Sequence, residues 1–378
     1  MAGSPARNAT STAMSDTPAA MPLVSVIVRS MARASLDTAL AAIGAQTWPA
    51  VEAVVVAASG RSHPPVPATA GSHPARLVAS DTPLSRPEAA NVGLDAARGD
   101  WITFLDDDDV IDPSHIEGLV GAARRGKSRV VCSQARVRLA DGSEQPWGQP
   151  FALTQIYARN FLHLSTVLFA RSLIGDGCRF DPSFVIMQDW DFFLQMAQHS
   201  RFQSTGLRTF EWRADRGTSG AGGGDNHDDA RFAQFRDRIH AKWRPQREAL
   251  IARLAPALDA AAQALEAADW PRAERACDDA LAIAQNEPHA LNMLAMVMLR
   301  TGRTDDAIAM QSLAAGVCPH EPSFVFNLAL LVRGRGEIDR ARRLAQHALR
   351  IAPGYAPAAR LIAELGAAPN RAAARLRT

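Results

Sequence analysis

Residues Arg86–Pro113 read RPEAANVGLDAARGDWITFLDDDDVIDP, and this stretch decides the fold. Pro87–Arg98 carries small and apolar residues at helical spacing, with Gly99 placed as the C′ residue that ends a helix. Trp101–Leu105 has the length and composition of a buried strand, and it delivers four consecutive carboxylates, Asp106–Asp109. Asp112-Pro113 then reads as an N-cap followed by an N1 proline. Helix, strand, acidic run and helix in this order form part of a βαβ pattern with a mainly parallel sheet, and in such sheets ligands sit beyond the carboxyl ends of the strands.

Working upstream, Leu23–Val28 is a β-branched strand. Ser35 is placed to cap a helix with Leu36, Ala39, Leu40 and Ile43 on one face. Trp48-Pro49 closes that helix, Glu52–Val56 is a second strand, a Pro/Gly/His-rich loop covers Gly60–Pro74, and a third strand lies around Arg76–Ala79. The strand ends are then Arg29-Ser30, Ala57-Ala58 and Asp106–Asp109, which places the site around the acidic run. Continued strand alternation would put Asp106 and Asp108 on one side and Asp107 on the other. Adjacent carboxylates repel, and a hard divalent cation such as Mg²⁺ or Mn²⁺, held by one or two carboxylates and phosphate oxygens, relieves that repulsion. Taken alone, an acidic run is more often a solvated loop.

Downstream of Ala255 the composition turns to Ala, Leu, Arg and Glu with a fixed offset. Ala273, Ala307 and Ala341 are 34 residues apart, as are Ala280, Ala314 and Ala348. Leu294, Leu328 and Ile362 keep the same step, Gly302 pairs with Gly336 and Pro288 with Pro322. A 34-residue period with small residues at helix contacts resembles tetratricopeptide repeats. Met293, Met296 and Met298 read as core. The arginines of the third unit, Arg333 to Arg350, form either a solvated face or a contact for an acidic protein or anionic glycan.

Composition bounds the rest. The chain has 378 residues, 47% hydrophobic and 21% charged, with a formal charge of +2. That suits two or three soluble globular domains and argues against a nucleic-acid or general polyanion binder. Cys132, Cys178, Cys277 and Cys318 show no CxxC spacing, so neither a disulfide framework nor a zinc site is indicated. The longest apolar runs, Ala290–Leu299 and Phe324–Val332, are interrupted by Asn292 and Asn327 and are too short for a transmembrane segment. Residues 1–21 lack the apolar region of a signal peptide and read as a disordered leader. The expected location is cytoplasmic, free or peripheral to the inner face of the membrane.

Four blocks share one family pattern: VSVIVRS (24–30), AQTWPAVEAVVV (45–56), the opening stretch, and FDPSFVIMQDWDFFLQMA (Phe180–Ala197). In order and spacing they resemble the family 2 glycosyltransferases, across most of residues 22–240. The resemblance implies an α/β architecture: a GT-A nucleotide-diphospho-sugar transferase domain at 22–240, with a mainly parallel sheet flanked by helices. The leader 1–21 precedes it; a linker or helix at 241–259, an all-α TPR-like repeat domain at 260–366 and a basic tail at 367–378 follow.

The same resemblance implies metal-dependent transfer of a sugar from a nucleotide-sugar donor, foremost a UDP-sugar, to an acceptor hydroxyl with inversion. The acceptor is a glycan, a lipid-linked species or a protein, and the repeats offer a surface for a protein partner. Asp106 and Asp108 take the DxD positions for Mn²⁺ or Mg²⁺, and Asp107 or Asp109 either touches the ribose or stays solvated. Asp189 matches the general base, with helix capping as its other reading and Asp191 as the alternative base. Arg86 falls on the donor side; Arg29 either reaches the donor phosphates or pairs with an acid, and Asn91 either bonds the donor or serves the turn or helix. Trp190 falls on the acceptor side with His163, whose other reading is a satisfied, partly buried histidine. Arg213 and the loop Gly217–Gly224 are a closing lid or a plain linker.

Three departures stand out. Ala57-Ala58 replaces the aspartates that usually contact the base, Gln188-Asp189 replaces a Glu-Asp pair, and the first strand ends in Arg29-Ser30. Loss of the neighbouring carboxylate is expected to ease ionisation of Asp189. A degenerate scaffold module is the alternative function. A nucleotidyltransferase would carry a glycine- and lysine/arginine-rich loop where this chain has Ser30-Met31-Ala32-Arg33.

Overall fold

The computed structural model describes residues 21–139, 141–212 and 228–367. The expected leader up to residue 20, Arg213, the loop Gly217–Gly224 and the tail beyond 367 lie outside the described residues. The chain opens with strand β1 (Val24–Ser30), helix α1 (Leu36–Gly44) and β2 (Val51–Ala57), which is buried along its whole length because helices cover both sheet faces. Next come β3 (Thr69–Ala70), β4 (His73–Val78), α2 (Arg86–Ala96) and β5 (Trp101–Phe104). Then follow β6 (Val110–Ile111), α3 (His115–Arg125), β7 (Val130–Cys132), β8 (Ala135–Arg138) and β9 (Glu144–Trp147). After the short helix α4 (Leu153–Ile156) come β10 (Val167–Ala170), α5 (Ser172–Gly175), α6 (Gln188–His199), β11 (Phe202–Ser204) and β12 (Phe210–Trp212).

Eight strands make one sheet in the order β11-β7-β10-β5-β1-β2-β4-β3, and β6-β12-β8-β9 make a second, smaller one. β5, β1, β2 and β4 are parallel, as expected. β10 runs antiparallel to both β5 and β7, so the sheet is mixed rather than mainly parallel. The cause is connectivity: β7 and β10 are the arms of a wide hairpin whose loop carries β8 and β9, with no crossover to restore the direction.

Local expectations fail where backbone contacts decide. α2 ends through Ala97 in an extended conformation, so Gly99 is not a left-handed cap. Gly99 is needed for closeness instead: a Cβ there would lie 2.6 Å from the Ser25 nitrogen and 2.7 Å from the Trp101 carbonyl oxygen. Ser35 occupies the N-cap position of α1 without a side-chain cap bond. The N-cap of α3 is Ser114, and Asp112 instead binds both terminal nitrogens of Arg136 at 2.7 Å each, tying the small sheet to the acidic turn.

The helical part begins with α7 (Asp229–Glu266), which runs unbroken through the boundary expected at 240, so the segment 241–259, expected as a linker or helix, is helix. Its Phe235, Ile239, Trp243, Leu250 and Leu254 share one core with Phe104, Phe169 and Phe192 beside the sheet. α8 (Trp270–Ile283), α9 (Pro288–Arg300), α10 (Thr304–Val317), α11 (Pro322–Gly334), α12 (Ile338–Ile351) and α13 (Ala356–Ala367) follow. Alternate helices start 34 residues apart, at Trp270, Thr304 and Ile338 and at Pro288, Pro322 and Ala356. Both alanine columns are fully buried, since only a methyl group fits between helices this close. Among the described residues no helix is long and apolar enough to cross a membrane.

The helices dock on the sheet domain through main-chain groups. Gln285 donates to the Phe202 carbonyl at 2.5 Å and accepts from the Phe202 nitrogen at 3.0 Å, acting as a surrogate strand on the β11 edge. Asn286 donates to the Phe151 carbonyl at 2.7 Å and Gln149 to the Val317 carbonyl at 2.6 Å.

Candidate active site

The site forms beyond the carboxyl ends of β1 and β5. The strand ends at Phe104, and Asp106–Asp109 fold into a turn closed by a 3.2 Å bond from the Asp109 nitrogen to the Asp106 carbonyl. Strand alternation therefore does not govern these four side chains, a correction to the expected pairing of faces. Asp106 accepts from Arg29 Nη2 at 2.5 Å and Nε at 3.2 Å, both on Oδ1. Asp107 is 1% exposed and accepts from the Met31 nitrogen at 3.0 Å and Arg33 Nη1 at 2.8 Å. It anchors the loop after β1, in which Ala32 holds a left-handed φ of 60°, and also lines the smaller of the two cavities described below. Asp108 accepts from the same Arg33 atom at 3.1 Å.

Burial pulls the Asp106 pKa up, but Arg29 foremost, then His163 and Arg86, outweigh it and hold it below the usual carboxylate value. Burial, and next the charge of Asp106, push Asp108 up. Negative charge thus remains incompletely offset at Asp108. Each arginine engages a single oxygen of its carboxylate. This donor set fits a hard divalent cation that takes one or two carboxylates and fills its shell with phosphate oxygens. Among the described residues no group of three or more His, Cys, Asp or Glu side chains is arranged to hold a metal by protein ligands alone.

Arg86 enters from the first turn of α2, where the Glu88 carboxylate accepts from the Ser85 nitrogen at 2.8 Å. No carboxylate lies within ion-pair distance of Arg86 among the described residues, and burial lowers its pKa. Nη1 of Arg29 is buried without a hydrogen-bond partner. Two guanidiniums thus keep unspent donors beside the acidic turn, a setting for an oxyanion-rich ligand.

Asp189 sits at the start of α6, behind Met187 with its left-handed φ of 58°. Its Oδ1 accepts from the Trp190 nitrogen at 2.9 Å and its Oδ2 from Asn160 at 3.2 Å. Burial raises its pKa despite these bonds and the charge of Arg29. Easier ionisation was expected from the lost glutamate, but desolvation is the larger effect. His163 stacks on Phe210 at 4.6 Å, and its Nδ1 accepts from the Ser165 nitrogen, which leaves the proton on Nε2, 4.0 Å from Asp109. Burial pushes its pKa down to about 4, so the ring is neutral at pH 7.

One cavity of about 280 Å³ is lined by Asp106, Asp108, Asp109, His163 and Asp189 together with Arg29 and Arg86. An adjoining cavity of about 80 Å³ shares Arg29, Arg86, Asp106 and Asp108 and adds Arg33, Ala58 and Leu84.

Three expected site residues are placed elsewhere. Asp191 is fully buried against α7, bonded by Trp243 Nε1 at 2.8 Å, Lys242 at 2.9 Å and Gln195 at 2.8 Å. One helical turn carries Asp189 and Asp191 to different faces, so only Asp189 reaches the cavity. Trp190 is core, donating to the Ile156 carbonyl at 2.6 Å. Asn91 spends both ends of its amide on the Phe180 backbone, at 2.8 and 3.0 Å, and orients the segment leading to α6. Arg33, Asn160, Trp147 and Trp212 belong to the site neighbourhood and were not read from the sequence. Arg33 was legible only as part of the loop after β1.

Residues 25–181 match the family model described as glycosyl transferase family 2. That segment is therefore similar to the family 2 glycosyltransferases. The match covers less than half of the chain. The uncharacterized glycosyltransferase YwdF of Bacillus subtilis (strain 168) is 29% identical over 170 residues, 43% of this chain and 63% of that protein. The alignment therefore spans just under two thirds of that relative's length. A crystal structure of S. aureus TarS in complex with UDP-GlcNAc is 14% identical over 91% of this chain and 90% of that one, with a TM-score of 0.46. The Sgt2 TPR domain from Aspergillus fumigatus is 16% identical over 30% of this chain and 76% of its own, with a TM-score of 0.29. The matched range contains Arg29, Arg86, the acidic turn and His163; Asp189 comes from the α6 segment just after it.

Proposed function

We propose that the chain is a glycosyltransferase that moves a sugar from a nucleotide sugar to an acceptor hydroxyl, with inversion and with Mn²⁺ or Mg²⁺ bound by Asp106 and Asp108. The observation that carries this reading is the convergence of Asp189 with the acidic turn and two underused arginines on one cavity. Arg29 and Arg86 bind the donor diphosphate, and a UDP-sugar is the first donor to test. The cation, when bound, supplies charge neutralisation for the departing nucleoside diphosphate. Asp189 accepts the acceptor's hydroxyl proton as the new bond to the anomeric carbon forms and the bond to the diphosphate oxygen breaks with its electron pair. A raised pKa makes Asp189 a stronger base than an exposed aspartate, at the cost of an acid limb above the usual carboxylate range. The acceptor is a glycan, lipid-linked or protein species, and the helical repeats provide the surface for a partner.

Calorimetric titration of UDP, GDP and CDP with and without Mn²⁺, on wild type and Asp108→Ala, tests the reading. Binding of one nucleotide that needs the metal and is lost in the variant is the expected result. No binding to any of the three would overturn the donor site and favour a non-catalytic scaffold.

A further inference from the structure

Two tryptophans line the Asp189 cavity, Trp147 at the end of β9 and Trp212 at the end of β12. Their rings meet edge to face at 5.7 Å, and His163 lies against both, 6.5 Å from Trp147 and 5.6 Å from Trp212. Packing accounts for Phe210, which is fully buried beneath His163, but the two indoles remain only partly covered. The buried Trp190 and Trp243 donate their indole N–H groups to Ile156 and Asp191, whereas no described residue accepts from Trp147 or Trp212. The small sheet therefore presents aromatic surface to the same space as the carboxylates of Asp109 and Asp189.

Aromatic faces carry negative charge density and attract the polarised C–H groups of a pyranose ring, while carboxylates bond its hydroxyls. An acyclic polyol lacks a preformed flat face and must lose internal rotations to imitate one. A serine or threonine side chain offers only one small apolar group. We propose that the acceptor is a saccharide whose pyranose ring lies against Trp147 and Trp212 and presents its hydroxyl to Asp189. The proposal rests on the transferase reading above and narrows its acceptor class.

The test is saturation-transfer NMR on the full chain with UDP and Mn²⁺. The probes are the methyl pyranosides of glucose, galactose, mannose and N-acetylglucosamine, with sorbitol and a serine/threonine peptide alongside. At least one pyranoside should receive saturation, strongest on the C–H protons of one ring face, and sorbitol and the peptide should receive none. Trp147→Ala and Trp212→Ala should each weaken that pyranoside about two- to tenfold, the contribution of one aromatic ring, and Trp147→Phe and Trp212→Phe should restore most of it. Nucleotide titration of the same variants reports whether they are folded; if the alanine variants are not, the phenylalanine variants compared with wild type decide. No signal from any pyranoside, a preference for sorbitol or peptide, or unchanged pyranoside binding in the tryptophan variants overturns the proposal. Nucleotide binding with no pyranoside signal would remove the platform alone, whereas a pyranoside signal without nucleotide binding would remove the donor reading.

Discussion

Asp189 and Asp191 stand two positions apart on the first turn of α6 and have opposite environments. Asp189 is partly buried at the cavity wall with only two hydrogen bonds and a raised pKa, so the native state resists its ionisation. Below the unfolded-state pKa both states hold the proton and nothing is lost. As pH rises past that value the unfolded chain ionises first, and native stability falls until the folded pKa is passed. Asp189→Asn should therefore melt higher than wild type at pH 7, with the gain vanishing as pH drops into the ordinary carboxylate range. The same change should lower kcat by about 10²- to 10⁴-fold, the usual contribution of a general base. Asp191 is the converse case. Asp191→Asn weakens its bonds to Lys242 and Trp243, which should cost about 1.5–3 kcal/mol, while kcat per folded molecule stays within a few-fold of wild type. Paired melting curves and steady-state rates on the two variants check both statements. A stabilised, fully active Asp189→Asn would remove Asp189 as the base.

Elements place these residues by close approach. Gly93 lies where α2 crosses β1, and a Cβ there would collide with the buried Ile27 side chain and come within 3.3 Å of Val56. Gly93→Ala should cost about 1–3 kcal/mol, as overpacked cores do. Because Arg86 is carried on the first turn of the same helix, the displaced helix should also bind nucleotide more weakly. A lower denaturant midpoint together with a weaker calorimetric Kd is the expected pair. An unchanged Kd would mean that Arg86 is not used for the donor.

Over the whole molecule, α7 joins the two architectures instead of separating them. The core around the sheet continues through α7 to Ala280, Ala284 and Ala290 in the repeats. Bonds from Gln285 and Asn286 close the edges at Phe202 and Phe151. The full chain should unfold in one transition. A chain ending at Glu266 loses those partners and should melt on the order of 10 °C lower, since several main-chain hydrogen bonds at about 1 kcal/mol each are removed. Calorimetry of the two chains decides; equal melting temperatures would show that the repeats are an independent appendage.

The sequence by itself determined what depends on neighbours along the chain. Hydrophobic strands β1, β2 and β5, the acidic run that follows β5 and the 34-residue step were all legible, because side-chain type at a local period dictates each. The first repeat was harder to see: its turn residue is Ala268, which adopts a φ of 55° at the position where Gly302 and Gly336 hold 81° and 88°. Asp189 was legible from its surrounding block, yet its raised pKa was not, since desolvation depends on what packs over it. Only the tertiary structure decided that Asp191, Trp190 and Asn91 serve packing, that Asp107 anchors the loop after β1, and that β10 reverses. It also brought Trp147 and Trp212 to the cavity from a separate sheet. Burial, ion pairing and cavity lining are set by residues tens to hundreds of positions apart, and no local pattern encodes them.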